Sequence, residues 1–418
     1  MNINLNAMKW RVLIGCFLSY MFDALDILVL IISLPAIKET MQISTTEAGF
    51  MVTATLLGIG VSSLVMGGLA DTLGRRKALL LSLATFGVLT IAIAGVTDWK
   101  QLLVLRFLAG LGLGGVWGTV AAQVNEAWPP HQRARATAFV LSSFSIGSGL
   151  AAVLAACLLK TYGWRVLFVI SGALVVIPII YVWLRVPEST VWLAERKVSR
   201  DLLAPRNSVT IKSLFAADLL RKTLLGTTAS ALALTAYWGA MTWLPTILVQ
   251  EHGLEPSTMA GFIAVMNVGT FIGYNLFGWL ADRIGKRRMI IISLIGCGLM
   301  LPIYTFATDK TALLLLGPAF AFFIAFVGLF GSYFAELYPT HLRASGAGFC
   351  FNVGRGISAF APLLLGSVAV SVGFSISIGF CGALFLLAAA VISLLPQDVD
   401  LHWAYQNPKG VSPTSESI

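Results

Sequence analysis

The chain is predicted to be an all-α membrane protein with twelve transmembrane helices in two six-helix bundles. Three observations predict this: a composition too apolar for a water-soluble domain, twelve apolar runs of spanning length, and two motifs that each recur about 210 residues further on.

Of the 418 residues, 57% are hydrophobic and 11% are charged. Soluble domains carry about 25% charged residues, and a single core stops growing near ~250–300 residues. The excess apolar sequence therefore needs a bilayer as its solvent. A spanning helix takes about 20 mostly apolar residues. Such runs lie at roughly 12–36, 48–70, 78–97, 101–123, 137–158, 165–186, 224–249, 258–281, 289–308, 312–335, 345–370 and 373–395. They are too long for barrel strands, which need ~10 residues of alternating polarity. The first run is expected to be a span rather than a cleaved leader, because it exceeds the ~7–15 apolar residues of a leader and contains Asp23 and Asp26. Cys16, Cys157, Cys297, Cys350 and Cys381 all fall inside predicted spans. They read as small packing residues rather than a disulfide framework. The sequence has no C-x-x-C and no metal-spaced His/Cys cluster, so neither metal nor redox cofactor is expected.

The net charge of +9 is unevenly distributed. With the N-terminus in the cytoplasm, the cytoplasmic side holds 21 of the 28 Lys and Arg residues: Lys9, Arg11, Arg75, Arg76, Lys77, Arg133, Arg135, eight from Arg185 to Lys222, Arg283, Lys286, Arg287, Arg288, Arg343 and Lys409. The outer side holds Lys38, Lys100, Lys160, Arg165 and Lys310, and Arg106 and Arg355 lie inside spans. This asymmetry follows the positive-inside rule. It predicts an inner-membrane protein with both termini cytoplasmic, and basic loops that meet anionic lipid rather than nucleic acid.

Residues 1–186 are expected to form the N-terminal bundle, 187–223 a cytoplasmic linker, 224–396 the C-terminal bundle and 397–418 a cytoplasmic tail. Gly67-Gly68-Leu69-Ala70-Asp71-Thr72-Leu73-Gly74-Arg75-Arg76 matches Gly278-Trp279-Leu280-Ala281-Asp282-Arg283-Ile284-Gly285-Lys286-Arg287. Glu126-x-x-Pro129-x-x-x-Arg133 matches Glu336-x-x-Pro339-x-x-x-Arg343. Two motifs repeating at nearly one offset mark a duplicated architecture.

The G-x-L-A-D-x-x-G-R-R loop resembles the signature of the major facilitator superfamily, and the likeness covers nearly the whole chain. It departs from the pattern at Thr72, where an Arg is common. The resemblance implies a monomeric carrier that holds its substrate between two rocking bundles, as in other repeat-built transporters. It also implies a cytoplasmic gate made of Gly67, Asp71, Gly74, Arg75, Glu126, Arg133, Gly278, Asp282, Arg283, Gly285, Glu336 and Arg343. Its glycines permit tight reversals. Its carboxylates are expected to accept from cations or free helix N–H groups and so latch the bundles together. The alternative is that these pairs only fix topology and helix ends.

Ionisable residues inside a membrane mark function. Asp23 and Asp26 lie three apart on the first span, Arg106 begins the fourth, and Arg355 lies in the eleventh. Two nearby carboxylates repel and an apolar surround disfavours charge, so one of the pair can carry a proton. A fixed Arg can hold a carboxylate substrate. The other readings are a static ion pair of the aspartates with Arg106, an Arg106 that snorkels to the outer interface, and an Arg355 that braces helices. Arg106 with Gly110, Gly112 and Gly114 also resembles a fourth-helix pattern of the superfamily. Tyr237, Trp238 and Asn352 are possible cavity residues, with an interfacial or lipid-packing role equally open for the tryptophan.

Phe22-Asp23-Ala24-Leu25-Asp26 and Gly354-Arg355-Gly356 followed by Pro362 resemble motifs of the aromatic acid:proton symporters. Glu126-Ala127-Trp128-Pro129 is similar to the sialate and metabolite:proton symporters. The expected function is therefore proton-coupled uptake of a small organic anion, such as an aromatic, sugar or short-chain carboxylate. The alternatives are a proton-driven antiporter exporting drugs or metabolites, and a neutral sugar porter. The fifth span reads Ser145-Ile146-Gly147-Ser148-Gly149-Leu150, without the proline typical of such exporters. An enzyme is not expected: all four histidines lie outside the spans, and there is no nucleotide-binding loop.

Overall fold

A computed structural model describes residues 5–129, 133–193, 211–338 and 342–397. Within them, the side chains of residues 5–7, 63–68, 71, 133–135, 211–212, 218 and 343–345 are outside the description. The described residues hold twelve spans. The first four are Leu5–Met41, Thr45–Leu73, Arg75–Ala92 and Trp99–Ala127. Spans 5 and 6 lie in helices Arg133–Leu174 and Val176–Arg185, which Gly163 (φ 77°) divides. Without that break, the helical stretch from Ala136 to Arg185 would run ~75 Å, far beyond a ~30 Å hydrocarbon core. Spans 7, 8 and 9 are Ala217–Gln250, Pro256–Ile284 and Lys286–Thr305. Span 10 joins Lys310–Phe322 to Phe326–Glu336, span 11 joins Arg343–Ser358 to Ala361–Val372, and span 12 is Phe374–Ser393.

Apolar side chains cover the outer flanks of the spans: Val88, Leu184, Leu315, Val370 and Phe380 are each about two-thirds exposed. In water such a surface would be unstable. In a bilayer it is the expected exterior. The bounding turns are built from local chemistry. Ser44 and Glu47 form a reciprocal capping box at the start of span 2. Gly74 turns span 2 into span 3 at φ 104°, ψ 153°, and Gly285 turns span 8 into span 9 at φ 104°, ψ 139°. Backbone of this kind is essentially restricted to glycine.

The duplication is visible in contacts as well as motifs. Arg76 donates to the carbonyls of Val182 and Trp183 at the end of span 6, and Arg287 donates to those of Ile392 and Ser393 at the end of span 12. Both cations satisfy helix C-terminal acceptors. The halves meet along two seams, span 2 against span 11 and span 5 against span 8. A repeat that carries span 2 onto span 8 and span 5 onto span 11 exchanges these seams. Within the N-terminal half, span 1 packs tightly on span 5, where Gly147 abuts the Met21 carbonyl. Only a small residue permits that approach. Four of the five cysteines are buried, Cys157 is exposed, and all are free.

Candidate functional site

The four intramembrane charges separate into two environments. Asp26 and Arg106 form a buried ion pair, Nη2 to Oδ2 at 2.7 Å, with side chains 1% and 0% exposed. Thr90 of span 3 donates to the other Asp26 oxygen, and Arg106 also reaches the Asp26 carbonyl at 3.4 Å. Phe168 of span 6 lies beneath the guanidinium at 5.6 Å. Arg106 is thus enclosed by spans 1, 3, 4 and 6 and does not reach the outer interface. Of the two aspartates, Asp26 is the one that pairs with Arg106 here.

Asp23 turns elsewhere. It is buried, and its Oδ1 has no hydrogen-bond partner. Arg355, from the other bundle, is within electrostatic reach of Asp23, Tyr20 and Tyr237. Among the described residues, Arg355 makes no ion pair within 4 Å and no side-chain hydrogen bond. Asp23 and Arg355 thus approach from opposite halves without forming an ion pair among the described residues.

Three tyrosines lie near this pair: Tyr20 of span 1, Tyr237 of span 7 and Tyr274 of span 8, which are in mutual electrostatic reach. Their rings are largely buried, and among the described residues none of their hydroxyls makes a hydrogen bond. Tyr20 packs on Trp117 at 5.2 Å and on Phe144 at 5.7 Å, and Tyr237 on Trp238 at 5.2 Å. Asn352 lies half-buried one helical turn before Arg355. Tyr20 and Tyr274 are missing from the sequence reading. Tyr20 was findable, because it lies three residues before Asp23 and so shares its helix face. Nothing in the sequence marks Tyr274.

On the face that carries the basic loops, Glu126 accepts from Arg75 (3.2 and 3.1 Å), and Glu336 pairs with Lys286. Each pair lies within one bundle, so neither joins the halves in this conformation. The side chains of Asp71, Arg133 and Arg343, like residue Gly67, lie outside the description, as do residues 398–418 and residues 194–210 of the linker. Asp282 is exposed. Arg283 stacks on Trp279 at 3.8 Å, and a side chain at Gly278 would meet nothing within 4 Å.

Comparison with known proteins agrees with this arrangement. The family model of the Major Facilitator Superfamily matches residues 14–362. This chain belongs to that superfamily. It is 31% identical over 409 residues to a Haemophilus influenzae chain named "Putative metabolite transport protein", covering 95% of this chain and 98% of the other. It is 28% identical over 393 residues to the cis,cis-muconate transport protein of Acinetobacter baylyi, covering 92% and 94%. The crystal structure of a D-xylose-proton symporter superposes with a TM-score of 0.76 at 16% identity, covering 93% of this chain and 98% of that one. This last likeness is one of fold. The superfamily member described here is a multi-pass membrane transporter and not an enzyme.

Proposed function

We propose that this transporter imports a small organic anion together with protons, with Arg355 holding the carboxylate and Asp23 carrying the proton. One observation supports the reading: Asp23 and Arg355 approach from opposite bundles and, among the described residues, neither is held in an ion pair, so the gap between them is taken as the cargo site. A guanidinium offers two parallel donors to a carboxylate and stays charged at any working pH. Asp23 is its counter-charge while the gap is empty. When a cargo anion takes the Arg355 site, a proton on Asp23 leaves the loaded gap neutral, which is the form least costly to move through an apolar layer. The tyrosine hydroxyls supply hydrogen bonds to the rest of the cargo, and Trp117, Phe144 and Trp238 favour a flat one. Asp26 and Arg106 act as a brace inside the N-terminal bundle. The muconate carrier among the relatives supports an anionic cargo. The charge asymmetry supports an inner-membrane protein with cytoplasmic termini, and the superfamily resemblance supports a monomer.

The test is uptake by proteoliposomes with an imposed pH gradient, using radiolabelled benzoate, nicotinate and cis,cis-muconate against benzamide, nicotinamide and xylose. Gradient-driven accumulation of one or more carboxylates is expected, without accumulation of the amides or xylose. Preference for a neutral compound would overturn the assignment.

A further inference from the structure

Span 2 and span 11 close on each other at one face. At Gly49 of span 2, an added Cβ would lie 3.0 Å from the Leu363 Cα and the Pro362 carbonyl of span 11. One turn nearer the face opposite the basic loops, Thr46 and Ser367 hydroxyls are 3.4 Å apart. Lys160 and Glu255 pair across the other seam at this same face. Two turns deeper on span 11, at Gly356, an added Cβ would meet nothing within 4 Å.

Within the closed part, span 7 buries two hydroxyls that have no partner. Thr242 and Thr246 are both 0% exposed, and neither Oγ1 finds an acceptor. A helical threonine ordinarily bonds the carbonyl four residues earlier, as Thr55 does to Met51 and Thr119 to Gly115. Buried hydroxyls without partners are rare and destabilising. Their positions are ordered. Trp238, Thr242, Thr246 and Val249 recur at helical spacing and so lie on one face of span 7. Trp238 packs against Tyr237 of the candidate site. Val249 lines a depression of about 620 Å³ at the closed face, together with Ala36 and Lys38 of span 1, Leu159 of span 5 and Met259 of span 8.

We propose that Thr242 and Thr246 are the outer rungs of the cargo path. They are sealed without partners in the conformation seen here, and they become hydrated and accessible from the depression when this face opens. An unpaired hydroxyl makes the closed state less favourable and is satisfied in the open one, so it eases the opening. The proposal rests on the reading that cargo passes between the bundles, but its first readout needs no knowledge of the cargo.

In a Cys157→Ala background, Thr242→Cys and Thr246→Cys are treated with a membrane-impermeant maleimide in intact cells and in inverted vesicles. Glu39→Cys, in the exposed depression, marks the side from which the mouth is reached. Both threonine positions are expected to label from the side that labels Glu39→Cys, with Thr246→Cys the faster. Labelling from the other side only, or no labelling at either position, overturns the proposal. Thr246→Val, close in shape but lacking the hydroxyl, separates a path from packing. Its melting temperature is expected to match or exceed that of the parent, while uptake slows several-fold. Unchanged uptake in Thr246→Val and in the corresponding Thr242→Val would also overturn it. Failure of the carboxylate assignment, by contrast, would leave the labelling pattern intact.

Discussion

Breaking the Asp26–Arg106 pair from one side should be far more damaging than removing it whole. At 2.7 Å the gross attraction is about 6 kcal/mol at an effective dielectric of ~20. Desolvation of two ions costs several kcal/mol each, so the intact pair adds little net stability. Removing one partner is different, because the other charge then remains buried where it cannot be solvated. Asp26→Ala strands Arg106 between spans 1, 3, 4 and 6, where its Nε already lacks a partner. Arg106→Met strands Asp26 with only Thr90 to donate to it. Each single variant should lose about 3–5 kcal/mol. The double variant Asp26→Leu/Arg106→Met should fall within about 1–3 kcal/mol of the parent, the residual being the unpaired Thr90 hydroxyl. Unfolding titrations in mixed micelles, followed by tryptophan fluorescence, give the double-mutant cycle directly. Single variants within about 1 kcal/mol of the parent, or losses that simply add, would refute the buried-pair reasoning. Uptake that survives in the double variant would assign this pair to bracing; abolished uptake in a well-folded double variant would return it to the transport step.

Three further outcomes follow from the same geometry. Gly74→Ala should cost about 1–3 kcal/mol, since its φ of 104° and ψ of 153° suit only glycine and an added methyl would meet the Glu188 carboxylate; reduced yield and melting temperature would register it. Tyr237→Phe and Tyr274→Phe should leave melting unchanged, because neither hydroxyl is bonded among the described residues. They should weaken cargo affinity about 2–12-fold, the range of one lost hydrogen bond, as read from competition of uptake. Lys160→Ala should change stability little, because both partners of the pair are 64% exposed. The Lys160 ammonium and its hydrogen bond hold the Glu255 carboxyl below its usual range. The contribution of that pair is therefore complete at neutral pH and lost only as the solution at that face falls below the ordinary carboxylate range. A melting-temperature difference between the parent and Lys160→Ala that varied between pH 6 and 8 would contradict this.

The spans were legible because length and apolarity are properties of single segments, and a bilayer imposes both. The duplication was legible because Gly74 and Gly285 solve the same one-residue reversal. The turns at Gly163 and Gly373, both at positive φ, repeat at the same interval and could have been read with them. The pairing of charges was not legible. Asp23 and Asp26 are three residues apart, and helical spacing alone cannot tell whether such neighbours share a partner. Their side chains diverge by enough that one meets Thr90 and Arg106 inside its own bundle and the other faces Arg355 across the junction. The same limit hid the partner of Glu126. Glu126 pairs with Arg75, brought alongside by the packing of span 3 on span 4, while the side chain of Arg133, nearer in sequence, lies outside the description. Applied to the second half, the repeat would then have given Lys286 for Glu336. Arg106 looked shallow because it begins a predicted span, whereas helix Trp99–Ala127 starts seven residues earlier.

The most direct measurement of whether Asp23 carries the proton is a comparison of two modes of transport in Asp23→Asn proteoliposomes. Under the proposed mechanism, Arg355 should still bind the carboxylate in this variant and the gap should be permanently neutral when loaded. Exchange of labelled for unlabelled carboxylate across the membrane should therefore persist at a rate near the parent's, while accumulation driven by a pH gradient is lost. Arg355→Gln should lose both. Retained gradient-driven accumulation in Asp23→Asn would contradict the proton assignment, and retained exchange in Arg355→Gln would contradict the anion site.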